Sequence, residues 1–509
     1  MNNLRLIIMI FFSLSTLYFF ADILNVPQEY ITIQAGINQA TTGDTVLVRN
    51  GIYFEHIELP YHDITIASHY ILTGDWEDVE NTVLDAEYSG CAVRINNSDI
   101  VDLNGFTIRH GAIGSGAGIK CLNTDILSLR NMIIKDNSAA YDGGGVYFRY
   151  GDFLSIENCV FTGNFAELGG AIRLEGNGDI TVVKSRFSNN VALNSAGAIK
   201  AYNAEIYNSV FIGNSSGANG GALVCNDSYI YNSLFVNNTA EISGAGIFCD
   251  DIYIYNSTLF GNYSETLGSA VSCDYSRIYN SILAYNSGEY TVYSNGTYNS
   301  VILRYSNCWA NLGIETNSSN SDLGVIVTEN ANGTPCDMYF NIFQSPWFIN
   351  PSINNYQLPP LSICIDAGNP DLEYEEDILQ YDLAGNSRFS DGNDDGIVIV
   401  DMGAYEWQPV AYQEETISNS QLQISNLSNF PNPFNPSTTI SFDISRKDEK
   451  NAKLEIYNIK GQRVESIPIF FDYSQDFSVV WNAEKFASGV YYYKLTTPDS
   501  PVKKMILLK

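Results

Sequence analysis

In the stretch CDDIYIYNSTLFGNYSETLGSAVSCDYSRIY (residues 249–279), Asp250 and Asp274 are 24 residues apart, and Asp227 precedes Asp251 by the same interval. If the chain returns to the same place every 24 residues, these carboxylates stack in pairs. Like charges directly opposite on neighbouring strands repel, so such a stack needs a proton, a splayed turn or a bridging cation. Calcium accepts several carboxylate oxygens, and two carboxylates flanking a glycosidic bond supply the acid and base of a glycosidase. Arg277 is near enough in sequence to act as a cationic partner or as a base. Asp250, Asp251, Asp274 and Arg277 are therefore the candidate catalytic residues. A solvated acidic turn is the plain alternative in so acidic a chain.

Tyrosines repeat at the same interval. Tyr207, Tyr231, Tyr255 and Tyr279 each precede an asparagine, with Tyr298 further on, and Tyr229 and Tyr253 form a parallel row. Facing solvent, they make a flat aromatic strip on which sugar rings stack and to which phenols hydrogen-bond. Facing one another only, they stabilise neighbouring coils. A third candidate is DGNDDG (391–396), which resembles the opening of an EF-hand-type calcium loop. Asp391, Asn393 and Asp395 would be ligands, with Asp401 as the acidic closer, one residue short of the usual twelfth position. Calcium is the only cofactor these residues suggest.

The elements that position these side chains come from a repeat. One asparagine row runs through Asn131, Asn158, Asn208, Asn232, Asn256 and Asn280, with Ser185 expected as its one substitute. A second runs through Asn137, Asn164, Asn190, Asn214, Asn238, Asn262 and Asn286. The period is 27 or 26 at first and then settles at 24. Periods of this size mean a solenoid, whose units bury their apolar faces only against neighbours. Runs such as AEIYNSVF and SYIYNSLF are β-rich, alternate in polarity and are bounded by Asn and Gly. Ile95, Cys121, Phe148, Leu174, Ala201, Cys225, Cys249 and Cys273 recur in step and form one inward ladder of a parallel β-helix. Three cysteines in such a column cannot all pair, so the nine cysteines are expected mainly as buried thiols.

At 509 residues the chain must hold more than one domain or a repeat array. Its formal charge of −31 excludes a basic nucleic-acid surface. Residues 1–21 have the layout of a secretory signal peptide. Residues 31–57 read as a short helix, a Gly-Asp turn and a first strand covering the N-terminal end of the core. The expected organisation is a β-helix over 26–340, a segment over 341–408 that closes the stack, a linker over 409–427 and a small C-terminal β-sandwich over 428–509. Asp366, Asp382, Arg388, Asp401 and Glu406 in the closing segment look structural.

FTGN, FSNN, FIGN and FVNN, with GGAI and GGAL, resemble the FxxN and GGA[ILV] repeats of polymorphic outer-membrane proteins. More broadly, residues 31–340 resemble right-handed parallel β-helix proteins, a superfamily that includes pectate lyases, polygalacturonases and adhesins. The lyases place calcium on stacked carboxylates, which the resemblance extends to the aspartate stack. Of the polygalacturonase pattern only a fragment, RHG at 109–111, is present. At the other end, Pro431-Asn432-Pro433-Phe434, Tyr457-Asn458, Lys460-Gly461, Ser488-Gly489-Val490-Tyr491 and a Lys-rich last strand resemble the C-terminal sorting domain of type IX secretion cargo. That resemblance implies contact with the type IX machinery and delivery to the surface or exterior of a Gram-negative-type bacterium. The leading expectation is an adhesin-like protein that binds a polysaccharide or surface glycan. A polysaccharide lyase or hydrolase and a purely structural surface protein are the alternatives.

Overall fold

The computed structural model describes the chain outside residues 1–20, 60, 295–300, 317–321, 371–379, 394, 409–423, 445–450, 461, 471–475, 496–501 and 509. The expected signal peptide, Tyr298, Gly461 and most of the expected linker therefore lie outside the described residues. The chain divides into two compact units, the first ending at Pro409 and the second beginning at Val410.

Among the described residues the first unit is all-β apart from short helices near its start and one 3-10 turn at Pro351–Ile353. Its strands pair in parallel coil upon coil, in one sheet system of 27 strands and a second of 11. The inward ladder is in register: Cys121 lies between Ile95 and Phe148, and Cys249 lies between Cys225 and Cys273. Next to it runs an aromatic column in which the rings of Phe161, Phe187, Phe211 and Phe235 stack with centroids 4.8, 4.9 and 4.6 Å apart. All nine cysteines are buried free thiols.

The two asparagine rows do different work. The first row turns the corner in left-handed backbone, with φ of 47–53° from Asn131 to Asn280, a conformation Asn tolerates better than most residues. Its substitute is Lys184, at φ 48°, and not Ser185. Val183 is in register with both Glu157 and Tyr207, which places Lys184 between Asn158 and Asn208. Ser185 belongs to the next column, where Ser209, Ser233, Ser257 and Ser281 each accept the backbone N–H of the preceding coil at 3.1–3.2 Å. The second asparagine row is fully buried. Asn238 Nδ2 donates to the Phe211 carbonyl and to Asn262 Oδ1, both at 3.0 Å. Its Oδ1 accepts from the backbone and side chain of Asn214. A buried amide is tolerated where its donors and acceptors are met in this way.

The N-terminal cover contains a strand that the sequence pattern did not suggest. Ile23–Val26 pairs in parallel with Thr45–Val48, and the helix Ile33–Gln39 follows it. Thr32 caps the helix through Ala35 N–H at 3.0 Å, and Ile33 and Ile37 are buried.

The segment after residue 341 does more than close the stack. Asn341 continues the column of side-chain acceptors for Ser306 N–H, and Phe343 packs on the end of the core. The chain then runs back along the outside of four coils as a strap. Asn369 N–H donates to Asn280 Oδ1 at 2.9 Å, and Arg388 donates to the Asn256 carbonyl and to Asn232 Oδ1. Asn232 and Asn208 donate in turn to the carbonyls of Tyr381 and Asp382. Tyr356 is buried beside Leu234 and Val236. The left-handed asparagine corner is thus the rail on which the strap rests.

The second unit has two antiparallel sheets. One joins Ile424–Phe430, Ser437–Ile444 and Asp476–Asn482. The other joins Arg463–Phe470, Asn451–Asn458, Gly489–Leu495 and Lys503–Leu507. Trp481 fills the core with Phe434 at 5.5 Å and Tyr491 at 5.4 Å.

Candidate functional site

The long strands Leu223–Tyr231, Ile247–Tyr255 and Val271–Tyr279 build one outward face. Each bends after its cysteine, so Asn226, Asp250 and Asp274 stand at a corner and the residues after them enter a flat sheet. On the sheet Asp227, Asp251 and Tyr275 form one outward column and Tyr229, Tyr253 and Arg277 the next. Tyr207, Tyr231, Tyr255 and Tyr279 form the third. Alternate residues such as Ile230, Ile254 and Ile278 point inward and anchor the face.

The tyrosine rows are ordered stacks. Centroids in the third column are 5.3 Å apart with planes 7–10° from parallel. Tyr207 is buried, while Tyr231, Tyr255 and Tyr279 are half-buried. Tyr229 stacks on Tyr253 at 4.8 Å and is 39% exposed. Burial, followed by the neighbouring phenols, pushes the Tyr255 hydroxyl up to about 12, so it stays a hydrogen-bonding phenol at neutral pH.

The structure brings the charged candidates together in two groups. Arg277 Nη1 bonds Asp251 Oδ1 at 2.8 Å, and its guanidinium lies 4.6 Å from the Tyr253 ring centre. This arginine is held by a carboxylate and a ring, and it presents a planar donor edge beside the tyrosines. Asp250 shares the corner with Asp274, and Asp227 opens the adjoining sheet column. Burial first, then the charge of those two carboxylates, raises the pKa of Asp250 above the ordinary carboxylate value.

The expected calcium loop divides differently. Asp391, Asn393 and Asp395 accept the loop's own N–H groups, from Asp395, Gly396 and Ile397. Asp401 is not turned toward them: it is buried and accepts the N–H groups of Asp366 and Trp407. Asp366 is the carboxylate that faces the loop, through Gly392 N–H at 3.3 Å. Among the described residues, no three His, Cys, Asp or Glu side chains converge as a ready-made metal site. Asp382 caps its own turn through Ala384 and Asn386 N–H, and Arg388 faces Glu406 at 3.5 Å.

One cluster escaped the sequence pattern. Asp85 receives Arg109 Nε at 2.8 Å, lies 3.0 Å from His110 Nδ1 and accepts Glu87 N–H, while Tyr88 stacks on His110 at 4.3 Å. The RHG fragment is the far side of this clamp. The one available signal was the interval from Asp85 to Arg109, which is a coil length.

In the C-terminal unit the proline-rich motif is tied to the last strand. Asn432 donates to the Lys504 carbonyl at 3.1 Å and accepts Ile506 N–H at 3.0 Å, and Phe434 N–H donates to Ile506 O. Pro431 accepts from Thr438 Oγ1, Pro433 stands between the two tied residues, and Tyr491 donates to the Ala487 carbonyl. Residues 428–509 match the family model of the secretion system C-terminal sorting domain. This unit is a type IX sorting domain. The chain is accordingly exported by type IX secretion to the cell surface or the extracellular space, and its sorting domain engages that machinery. No curated protein and no solved structure matches the chain.

Proposed function

We propose that the β-solenoid is a glycan-binding module which the sorting domain delivers to the cell exterior. The observation that carries this reading is the stack of Tyr229 on Tyr253, flanked by the Asp251–Arg277 pair. A sugar presents an apolar ring face and a rim of hydroxyls; the outward edge of the stacked tyrosines meets the first, and a paired carboxylate and guanidinium take the second. The third column repeats the same half-buried phenol, Tyr231, Tyr255 and Tyr279, once per coil, about 4.8 Å apart, so successive coils offer an extended polymer equivalent contacts there. Acidic groups surround the face on the sheet and at the corner, which supports a neutral polysaccharide over a polyanionic one.

The test is a binding isotherm of the exported chain on neutral and acidic polysaccharides, with Tyr229→Ala and Tyr253→Ala beside it. Binding to a neutral polymer that weakens at least tenfold in either variant, with unchanged melting, supports the proposal. Equal binding by all three proteins removes it.

Cleavage of the bound polymer is the second reading. It rests on Asp250, which sits at the corner beside Asp274 and whose pKa is raised by burial and then by Asp274 and Asp227, as suits one member of an acid–base pair.

A further inference from the structure

The strap holds two carboxylate oxygens, Asp366 Oδ2 and Glu406 Oε1, that are buried without a hydrogen-bond partner. A bare buried oxygen of this kind is uncommon in a native protein and points to a proton, a water or an ion at the site. Asp366 is the more telling of the two. It is 1% exposed, and its other oxygen receives Gly392 N–H. A Cβ built on Gly392 would lie 3.3 Å from Asp366 Oδ2 and 3.3 Å from Trp407 Cδ1. The bare oxygen is therefore aimed at the start of the 391–396 loop, with the Trp407 indole alongside.

The loop supplies matching chemistry. Asp391 and Asp395 lie close enough to Asp366 for their charges to disfavour its ionisation. Asn393 adds an amide oxygen between them. Arg388, the cation that serves this strap, is turned to Glu406, Asn232 and the Gly403 carbonyl. We propose that Asp366 Oδ2 and the side-chain oxygens of Asp391, Asn393 and Asp395 bind one calcium ion, which fastens the exposed loop to the strap. Calcium takes six to eight oxygens in flexible geometry and accepts waters among them, whereas magnesium demands a near-ideal octahedron. A loop that closes on its ion, without three preformed carboxylates, suits the more permissive cation. Asp401 takes no part, because it is fully buried and turned away from the loop toward the N–H groups of Asp366 and Trp407.

The full chain, stripped with chelator, is titrated with terbium while tryptophan is excited, and calcium is then used to displace the terbium. Trp407 should sensitise terbium emission, and calcium should quench it and raise the melting temperature. Asp391→Asn, at the half-buried start of the loop, should weaken terbium at least tenfold and abolish the calcium-dependent rise in melting temperature. Asp366→Asn should do the same where it folds. Asp250→Asn and Asp274→Asn should leave both readouts unchanged. The proposal is overturned if the native chain shows neither emission nor a calcium shift, or if Asp391→Asn binds as the native chain does. It is equally overturned if the emission follows Asp250 instead.

Discussion

Arg388 Nε donates to Asn232 Oδ1 at 3.0 Å across 156 residues of sequence, and the arginine side chain is fully buried. The bond joins the strap to the left-handed corner of the solenoid, beside the coils that carry the tyrosine face. Removing one partner of a buried charged network costs about 3–5 kcal/mol, because the other is left unpaired. Arg388→Ala should therefore strip the strap from its rail and leave Glu406 without its cation. Limited proteolysis should show early cleavage between residues 350 and 408, and the melting temperature should fall. An unchanged digestion pattern would show that the rail is held without this residue.

Gly261 has φ +64°, and a Cβ there would lie 2.4 Å from Asn237 Oδ1. Gly163 and Gly213 stand in the same relation to Asp136 and Asn189. The turn thus alternates a side chain with a glycine on successive coils. Gly261→Ala should destabilise by about 1–3 kcal/mol, from left-handed strain together with crowding of the asparagine. Asn237→Gly should be tolerated, since Gly adopts positive φ without penalty. Urea midpoints of the two variants give the comparison.

Asp85 carries the pH dependence of the N-terminal coils. Burial raises its pKa, but the Glu87 N–H, Arg109 and His110 outweigh burial and the net shift is downward. A carboxylate lowered on folding contributes stability that is present above its unfolded value. That stability is lost as pH falls through the folded value. Asp85→Asn should flatten the fall in urea midpoint on acidification below about pH 4 and should lower the midpoint at neutral pH. Parallel acid profiles in the two proteins would show that the clamp does not titrate.

The thiols should be silent. Burial pushes Cys121 and Cys273 up to about 12, so little thiolate exists at neutral pH to react. A thiol reagent should label none of the nine cysteines in the native chain and all nine after unfolding in denaturant. Rapid native labelling, or thiols missing after denaturation, would contradict free buried thiols.

Repetition is what made the solenoid legible. Each coil states the same inward column, so the cysteine ladder and the phenylalanine column follow from spacing alone. The sorting domain was legible for another reason: its motif residues lie in short contiguous blocks, although Asn432 and Phe434 meet the last strand across 72–74 residues of sequence. Ser185 was put in Lys184's place because a coil of irregular length shifted the apparent register by one residue. The strap was invisible because its partners are aperiodic: nothing near Arg388 names Asn232. Asp401 was expected at the loop on spacing alone, yet the chain folds it into the strap's core and leaves Asp366 facing the loop.

The decisive measurement incubates the exported chain with neutral polysaccharides and follows retention and new chain ends together. A binding face built on Tyr229 and Tyr253 predicts retention without new ends, lost on Tyr253→Ala and kept on Asp250→Asn. New chain ends that vanish with Asp250→Asn would contradict it and make the acidic corner an active site.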